Sequence, residues 1–405
     1  MSYINKACFL VASSMSDVFT TDILSHVTQW LRDEDMQRLR LTRRRIKESV
    51  EAILKNPRVI VTLRPSQNTL TESNLQTLIK SELRNSARVQ LDLSFCQIYA
   101  LRPGYLLELT SVIKNLHSLI LTKNPLKTEE TWCLIEEVIS TCSSLAKLDL
   151  SCTLIGMTQG ANISGDRLAG VLHHCSFLTD LNLSGNRLTD EDLVAAMLPQ
   201  MSALTKLNLE NNYVGFGGLE TLGRLAAVLP KMSALTQLNL AYNYVGISGA
   251  ERLAGVLGQC FSLAVLDVAG NSMRNAGVEI LAEVLPQMSA LTQLNLANNS
   301  VGFEHSDKLH CVLKLSELLP QCSSLTNLNL ESNHLSEGAC NLAMMPGQCS
   351  LLTELNLRNN FIESDAAWQL IDNLDRFPAL KVLNLTRNEI MDSLPHQINS
   401  ARILC

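Results

Sequence analysis

Short runs of alternating apolar and polar residues recur along the chain at nearly constant spacing. The run from Leu178 to Leu188 (LTDLNLSGNRL) has the form LxxLxLxxNxL, and eleven copies of it follow one another about 29 residues apart. The LxL core alternates with a period of two, which predicts a short strand whose leucines face the interior. Residues 59–63 (VIVTL) predict one further, irregular strand ahead of the first copy.

One polar position follows each strand, and we call it the ladder position. A buried amide is tolerable only when neighbouring groups bond it, so we expect its side chain to bond nearby backbone and stacked copies to form a ladder. Two copies depart from asparagine, with Cys96 and Thr153. The other nine copies carry Asn124, Asn186, Asn212, Asn243, Asn271, Asn299, Asn333, Asn360 and Asn388.

An amphipathic helix is predicted after the turn. Residues 250–257 and 278–285 place apolar side chains at helical i, i+3, i+4 spacing. One unit is therefore a strand, a turn, a helix and a loop. Proline disfavours helical geometry in the residue before it, so helices are expected to end at Pro199, Pro230, Pro286 and Pro320.

This unit resembles the ribonuclease-inhibitor-like class of leucine-rich repeats. The resemblance covers residues 88–390 directly. It implies an α/β leucine-rich-repeat solenoid, a horseshoe in which a parallel sheet lines the concave side and helices cover the convex side. We assign residues 57–405 to this domain, with about eleven to twelve repeats, and expect a small helical region before it.

Side chains that alternate with the strand leucines point out of the sheet and form the concave face. The column just before the last strand leucine is nearly uniform, and its stacked Asn and Asp side chains, about 4.8 Å apart, can bond along the sheet. The neighbouring columns vary and mix both charges, so we assign specificity to them. Tyr242, near Tyr213 and Tyr244, is the expected aromatic anchor. The predicted residues that bind a protein partner are Lys123, Lys147, Asp180, Lys206, Glu210, Gln237, Tyr242, Asn298, Arg358 and Arg387.

The segment before the repeats has a different pattern. Residues 19–41 read as helical, with Asp33 as the N-cap of a second helix. Their spacing resembles the F-box, a short motif that docks the Skp adaptor of a cullin–RING ubiquitin ligase. The matches include an early acid at Asp22 and the arginine–leucine step Arg38-Leu39. The resemblance implies that the adaptor contacts Ile23, Leu24, Val27, Leu31, Met36 and Leu39.

The F-box match is partial. Phe19-Thr20 stands where the motif has Leu-Pro, Thr42-Arg43 where it has Val-Cys, and Ile46 where it has Trp. The alternative for residues 17–56 is a helical cap over the exposed apolar end of the first repeat, which solenoids need. Residues 1–16 are left unassigned.

Composition and charge limit which classes of partner the protein can bind and in which cellular compartment it works. The 405 residues carry a formal net charge of −6 at pH 7, which argues against nucleic-acid binding. No long uninterrupted apolar run occurs, so we expect no membrane span. The twelve cysteines are spread out without a CxxC pair, which favours a reducing compartment and hence the cytoplasm. The basic run at residues 43–47 leaves the nucleus open, and a secreted bacterial effector would act in the host cytosol.

Residues with reactive or metal-binding side chains show no catalytic pattern. Five cysteines share a column with Met and Phe, three residues before the first repeat leucine, so we interpret that column as an apolar core slot rather than a redox or metal site. HExxH, GxSxG and Gly-rich phosphate-loop motifs are absent from the sequence. We therefore expect no enzyme activity, no metal and no cofactor. The five cysteines are Cys142, Cys175, Cys260, Cys322 and Cys349.

These observations predict a protein–protein interaction module. The specific hypothesis is a substrate receptor of an SCF-type ubiquitin ligase, which binds its target on the concave face and the adaptor through residues 17–56. The alternative is a non-enzymatic scaffold or inhibitor, including a host-directed bacterial effector, whose N-terminal helices only cap the solenoid. A GTPase-activating protein, another user of this repeat class, is the third hypothesis.

Overall fold

A computed structural model describes most of the repeat region, and residues 1–59 lie outside the described part. By contacts the chain divides into two compact units. Unit 1 comprises Met1–Ile163 and Gly170–Leu181, and unit 2 comprises Ser164–Ala169 and Asn182–Cys405. The described residues are 60–63, 88–98, 116–126, 129–156, 168–190, 201–216, 222–303, 308–343, 349–391, 394–398 and 401–404, without the single residues 97, 143, 169, 171 and 396.

Unit 1 contains a parallel sheet in chain order. The irregular strand predicted at residues 59–63 is confirmed as β1, which pairs in parallel with β2. Strand β2 pairs with β3 through a register shift between Val89 and Gln90, and β3 pairs with β4. Helix α1 (Glu129–Thr141) lies between β3 and β4 in the chain. The strands are β1 (Ile60–Leu63), β2 (Arg88–Asp92), β3 (Leu116–Ile120) and β4 (Lys147–Asp149), and β5 (Asp180–Asn182) follows at the division between the units.

Unit 2 repeats the same arrangement over seven further strands. Each strand pairs in parallel with the next, and the central leucines of the strands stand in register. These leucines are at most 3% exposed, because the strand alternation turns them toward the helices. The strands are β6 (Lys206–Asn208), β7 (Gln237–Asn239), β8 (Val265–Asp267), β9 (Gln293–Asn295), β10 (Asn327–Asn329), β11 (Glu354–Asn356) and β12 (Val382–Asn384).

A hairpin follows the last repeat. Strand β14 (Ala401–Leu404) pairs in parallel with β12 and antiparallel with β13 (Gln397–Ile398). Leu394 and Ile403 are buried beneath this end. The hairpin continues the sheet beyond β12, a role that the sequence pattern did not predict for these residues.

Helices connect the strands as the apolar spacing predicts. The helices expected at residues 250–257 and 278–285 are α3 (Gly246–Leu257) and α4 (Arg274–Val284). After β10 the chain forms a 3₁₀ helix (Ser336–Ala343) instead of an α-helix. The remaining described α-helices are α2 (Gly223–Val228), α5 (Lys308–Leu318) and α6 (Ser364–Asp372). Among the described helices, none is both long and apolar enough to cross a bilayer.

The prolines lie where the α-helices end, but the geometry differs from the expected one. Leu229, directly before Pro230, keeps right-handed helical angles (φ −48°, ψ −45°). The chain tightens into a 3₁₀ turn, Leu229–Lys231, and the same turn follows α4 and α5 around Pro286 and Pro320. Pro199 lies outside the described residues.

The ladder predicted from the asparagine position is confirmed. Asn271 is fully buried, and its Nδ2 donates to the carbonyl of Val268 in its own repeat (3.0 Å) and of Leu240 in the preceding repeat (2.8 Å). Its Oδ1 accepts the backbone N–H of Asn243 (2.8 Å) and Val245 (3.2 Å). One amide thus closes its own turn and joins two repeats. Equivalent inter-repeat bonds are made by Asn124, Asn212, Asn243, Asn299, Asn333, Asn360 and Asn388.

Thr153 and Cys96, the two ladder residues of unit 1 that are not asparagine, can form only some of the hydrogen bonds that an asparagine forms. Thr153 is buried and donates its hydroxyl to the carbonyl of Leu150 (2.7 Å), which closes its own turn. The Cys96 thiol reaches the carbonyl of Ser94 (3.5 Å). Neither side chain carries the second donor that lets an amide reach the preceding repeat.

The cysteine column is a core slot at three of its five cysteines, whereas Cys260 and Cys322 are half-buried. Cys142, Cys175 and Cys349 are buried, as are Met201 and Phe377 in the same column. Burial raises the pKa of Cys142 and Cys175 to about 11, and of Cys349 to about 12. No cysteine of the described residues forms a disulfide bond.

Replacing the ladder asparagine Asn271 with Ala should destabilise unit 2. The change leaves buried carbonyl and amide groups of two repeats without partners, and each such group costs about 1–3 kcal/mol, so we expect a total loss of about 2–4 kcal/mol. Urea denaturation followed by circular dichroism measures this loss. The exposed strand residue Gln293, changed to Ala, should cost less than about 0.5 kcal/mol. Equal losses in both variants would contradict the structural role of the ladder.

Thiol labelling should separate the cysteines by burial. Because burial raises the pKa of Cys142, Cys175 and Cys349, these thiols stay neutral and unreactive at pH 8, and their thiolates form only as pH rises toward 11–12. Exposed Cys133 should be alkylated by iodoacetamide at least about tenfold faster in the folded protein. Peptide mass spectrometry reads each site, and in 6 M guanidinium the rates should converge. Fast labelling of the buried column without denaturant would show that this core is open.

Candidate functional site

The open face is the side of the sheet that carries the side chains alternating with the buried leucines. Its most uniform column is Asn or Asp in ten of eleven repeats. These side chains hydrogen-bond to the backbone and thereby fix the course of the chain. In each of the ten, the side-chain oxygen accepts the backbone N–H two residues ahead at 2.9–3.1 Å. Bonds between neighbouring strands also occur, as from Asn295 to Asp267 (2.9 Å). This column therefore turns each strand toward its ladder position.

The residue directly before the ladder position is left-handed in all eleven repeats, with φ between 53° and 66°. Only two of these residues are glycine, although the conformation costs a side chain about 1–2 kcal/mol. Hydrogen bonds to the next repeat hold it, as from the N–H of Tyr242 to the carbonyl of Ala269 (2.8 Å). The turn presents these side chains outward at the edge of the open face. Four of the predicted partner-binding residues lie here: Lys123, Tyr242, Asn298 and Arg387.

Three of the predicted partner-binding residues of unit 2 meet in one concavity. Glu210, Tyr242 and Asn298 line a cavity of about 580 Å³ on the open face. Its floor is built of Ala241, Ala269 and Ala297, which occupy the same column on consecutive repeats. The space exists because three small side chains follow one another there. Asp267, Glu331, His334 and Phe361 complete its walls.

The other predicted residues of unit 2 do not line this concavity. Lys206 and Gln237 stand side by side in register on β6 and β7. Arg358 contacts Glu331 through its Nε (3.2 Å), so its charge is partly compensated. Arg387 is exposed beyond β12. These side chains belong to the same open face but not to one cluster.

Two predicted residues of unit 1 compensate each other. Lys147 Nζ lies 3.4 Å from Asp180 Oδ2, and both side chains are at least 30% exposed. Such an exposed pair adds little stability. Lys123 Nζ lies 4.8 Å from the centre of the Phe95 ring, a cation–π contact. The predicted adaptor-binding residues, Ile23, Leu24, Val27, Leu31, Met36 and Leu39, lie outside the described residues and stay predictions.

The sequence pattern indicated Tyr213 and Tyr244, but it missed the other aromatic rings that cluster at the ends of the strands. Tyr213 and Tyr244 stack at 5.8 Å between ring centres, and Phe216 packs edge-on against both. His334 stacks on Phe361 at 5.1 Å, with Phe303 edge-on. The signal was present one position after the ladder asparagine, where Tyr213, Tyr244, His334 and Phe361 recur in the same register.

Tyr242 is fixed by a glycine. Gly270 holds the equivalent left-handed position of the next repeat (φ +65°), and the Tyr242 ring lies against it where a Cβ would stand. Any side chain at Gly270 would displace the ring. The tyrosine is nevertheless 47% exposed, so one face of the ring is held and the other is available to a partner.

Within the described residues no three His, Cys, Asp or Glu side chains form a group that could hold a metal ion. The carboxylates on the open face instead accept amide hydrogens from the next strand. Asn239 Nδ2 donates to Glu210 (3.2 Å) and Asn356 Nδ2 donates to Glu331 (3.1 Å). These bonds hold the two carboxylates in place on the open face.

One copy of the repeat matches a known protein family. The family model described as Leucine Rich repeat matches residues 174–195. Among solved structures, the chain is similar to the leucine-rich repeat-containing protein LegL7 from Legionella pneumophila, with 18% identity and a TM-score of 0.48 over 79% of this chain and 97% of that one. It is also similar to an internalin (inlF) from Listeria monocytogenes, with 18% identity and a TM-score of 0.42 over 80% of this chain and 85% of that one. No curated protein matches the chain. The repeated strand, turn and ladder asparagine give the described part of the chain a leucine-rich-repeat fold, and one copy of the repeat matches the family model.

Proposed function

We propose that the open face of unit 2 binds a protein partner and that the chain is a substrate receptor of an SCF-type ubiquitin ligase. The leucine-rich-repeat fold indicates a protein–protein interaction module. One observation carries the first half of the proposal: exposed aromatic rings stand on a sheet whose turns are fixed by buried hydrogen bonds. Binding without catalysis is the activity that this surface supports.

Rigidity favours binding on this face. Each strand is bonded to its neighbours, and each turn is tied to the next repeat by a ladder amide. Side chains on such a surface lose little conformational freedom when a partner docks, so less of the contact energy is spent on ordering. The surface is therefore preorganised for binding.

Aromatic anchors supply the contact energy. Tyr242, Tyr244 and Phe361 are each more than 40% exposed, and residues of this kind dominate binding energy when a partner covers them. Tyr242 and Tyr244 stand on one repeat and Phe361 stands four repeats farther along, so a partner that covers all of them must be a macromolecule rather than a small molecule.

The second half of the proposal rests on the F-box resemblance of residues 17–56. A segment that docks the Skp adaptor, followed by repeats that select a target, is the order that a substrate receptor requires. The protein would then work in the cytoplasm. The alternative is a scaffold or inhibitor, including a host-directed bacterial effector, in which residues 17–56 only cap the repeats. A GTPase-activating protein would instead stimulate GTP hydrolysis in a direct assay.

Changing Tyr242 to Ala should remove the captured partner. Truncating a central aromatic anchor costs about 2 kcal/mol or more, which weakens binding by about thirtyfold. Proteins captured from lysate by full-length wild-type and variant chains are compared by quantitative mass spectrometry. Phe261, a more exposed aromatic residue in the loop between α3 and β8, changed to Ala serves as the control. A partner that is retained by the Tyr242 variant, or lost equally from both, does not bind on this face.

Changing Leu24 to Asp should abolish binding of the Skp adaptor. A carboxylate at the centre of a predicted apolar contact would have to be buried unpaired, so we expect at least about a hundredfold loss. Titration of full-length protein with purified adaptor measures it. The Tyr242 variant should bind the adaptor like wild type. Absence of adaptor binding by the wild-type chain would leave the scaffold or inhibitor as the function.

A further inference from the structure

The concavity on the open face of unit 2 has an unusual distribution of charge. Glu210 and Glu331 occupy the same column as the three floor alanines, one on each side of them. Asp267 lies between them on β8. The described residues that line the concavity include these three carboxylates and no Lys or Arg. The cavity is therefore a local site of negative charge.

The carboxylates are positioned but incompletely compensated. Glu210 accepts one hydrogen bond from Asn239, and Asp267 accepts one from Asn295 on its second oxygen. Among the described residues, no basic side chain forms an ion pair with Glu210 or Asp267. Glu331 shares its charge with Arg358. Amide donors orient Glu210 and Asp267 without neutralising them, so these two carboxylates attract cations from outside.

Aromatic rings stand beside these carboxylates. Tyr242 lies at one side of the floor with one ring face open, and the stacked pair His334 and Phe361 stands at the wall near Glu331. A planar cation next to carboxylates and ring faces gains both paired hydrogen bonds and cation–π attraction. The arginine guanidinium combines these properties, whereas the lysine ammonium is a more strongly hydrated point charge.

The width of the concavity indicates how many cations it takes. Glu210 and Glu331 stand on repeats four strands apart, which at about 4.8 Å per strand separates their backbones by about 19 Å. One arginine side chain cannot contact both ends, but a short segment with several arginines can. The alanine floor leaves room for its backbone to approach the sheet.

We propose that this concavity recognises an arginine-rich segment of the partner protein. Its guanidinium groups pair with Glu210 and Asp267, and lie against Tyr242 and Phe361. This inference rests on the proposed binding function and specifies the chemistry of the partner. Because the attraction is electrostatic and the face is open to solvent, it weakens as salt is raised.

Fluorescence anisotropy with a labelled hexa-arginine peptide tests this chemistry on the full-length protein. The variant with Glu210→Gln and Asp267→Asn removes two charges but keeps the acceptors, and asparagine already occupies the position of Asp267 in neighbouring repeats. We expect at least about a tenfold loss of affinity, since it removes charge-assisted hydrogen bonds. The matched control, Glu251→Gln with Glu317→Gln, removes two exposed helix charges and should change affinity less than about twofold.

A second variant changes the shape without changing the charge. Ala297→Leu fills part of the floor, at a column position that holds Glu, Arg or Thr in other repeats, so the fold tolerates the size. It should also weaken the peptide severalfold. Equal losses from the open-face and helix charge variants would overturn the proposal, because the peptide would then respond only to net charge. Full affinity in the Ala297 variant would overturn it as well.

Capture of partner proteins from lysate distinguishes failure of this inference from failure of the proposed binding function. If the Tyr242 variant loses the captured partner while the Glu210 and Asp267 variant keeps it, the open face binds a protein but does not select arginine. If the Tyr242 variant keeps every captured partner, the proposed binding function itself fails. Thermal melting by circular dichroism confirms that each variant is folded.

Discussion

The buried asparagine side chain is the interaction on which the described structure depends. A strand that ends inside a protein leaves carbonyl groups and amide hydrogens that water cannot reach, and those groups must find partners. One amide supplies two donor hydrogens and an acceptor oxygen, which is enough to satisfy its own turn and the turn of the preceding repeat. Asn243, Asn271 and Asn299 do this in succession. Leucine burial drives the stacking of strands, but the asparagine makes that stacking compatible with a buried turn.

The same turn creates the surface on which we propose that a partner binds. Holding each ladder residue inward forces the residue before it into a left-handed conformation, which directs its side chain to the edge of the open face. The residue before the ladder position bears the free-energy cost of the left-handed conformation in every repeat. This holds for Tyr242 and Asn298 and equally for residues without a proposed role. The scaffold is therefore uniform, and the identity of the exposed residues varies without disturbing it. Binding specificity can change through single exposed positions, while the buried positions stay constant.

The proposed function depends on how these exposed positions combine across repeats. Tyr242 is held by Gly270 on the next repeat, and the alanine floor lies between two glutamates that are far apart in sequence. Aromatic rings, carboxylates and an accessible floor together form a surface suited to a basic protein segment. In a substrate receptor, that surface would choose the target and residues 17–56 would deliver it. In a scaffold or inhibitor, the same surface would act alone.

The sequence alone determined the strands, the ladder and the core, because each depends on contacts that recur at one spacing: LxL alternation, one asparagine, and an apolar column shared by Cys, Met and Phe. It also placed Glu210, Tyr242 and Asn298 on the open face. Other features needed the tertiary structure. The 3₁₀ turns at the prolines, the left-handed column and the terminal hairpin depend on backbone geometry that a residue pattern does not encode. The concavity depends on three alanines becoming neighbours although about 28 residues separate each from the next. The stacking of repeats decides which residues on adjacent strands become neighbours. Only the folded chain brings those side chains within reach of one another.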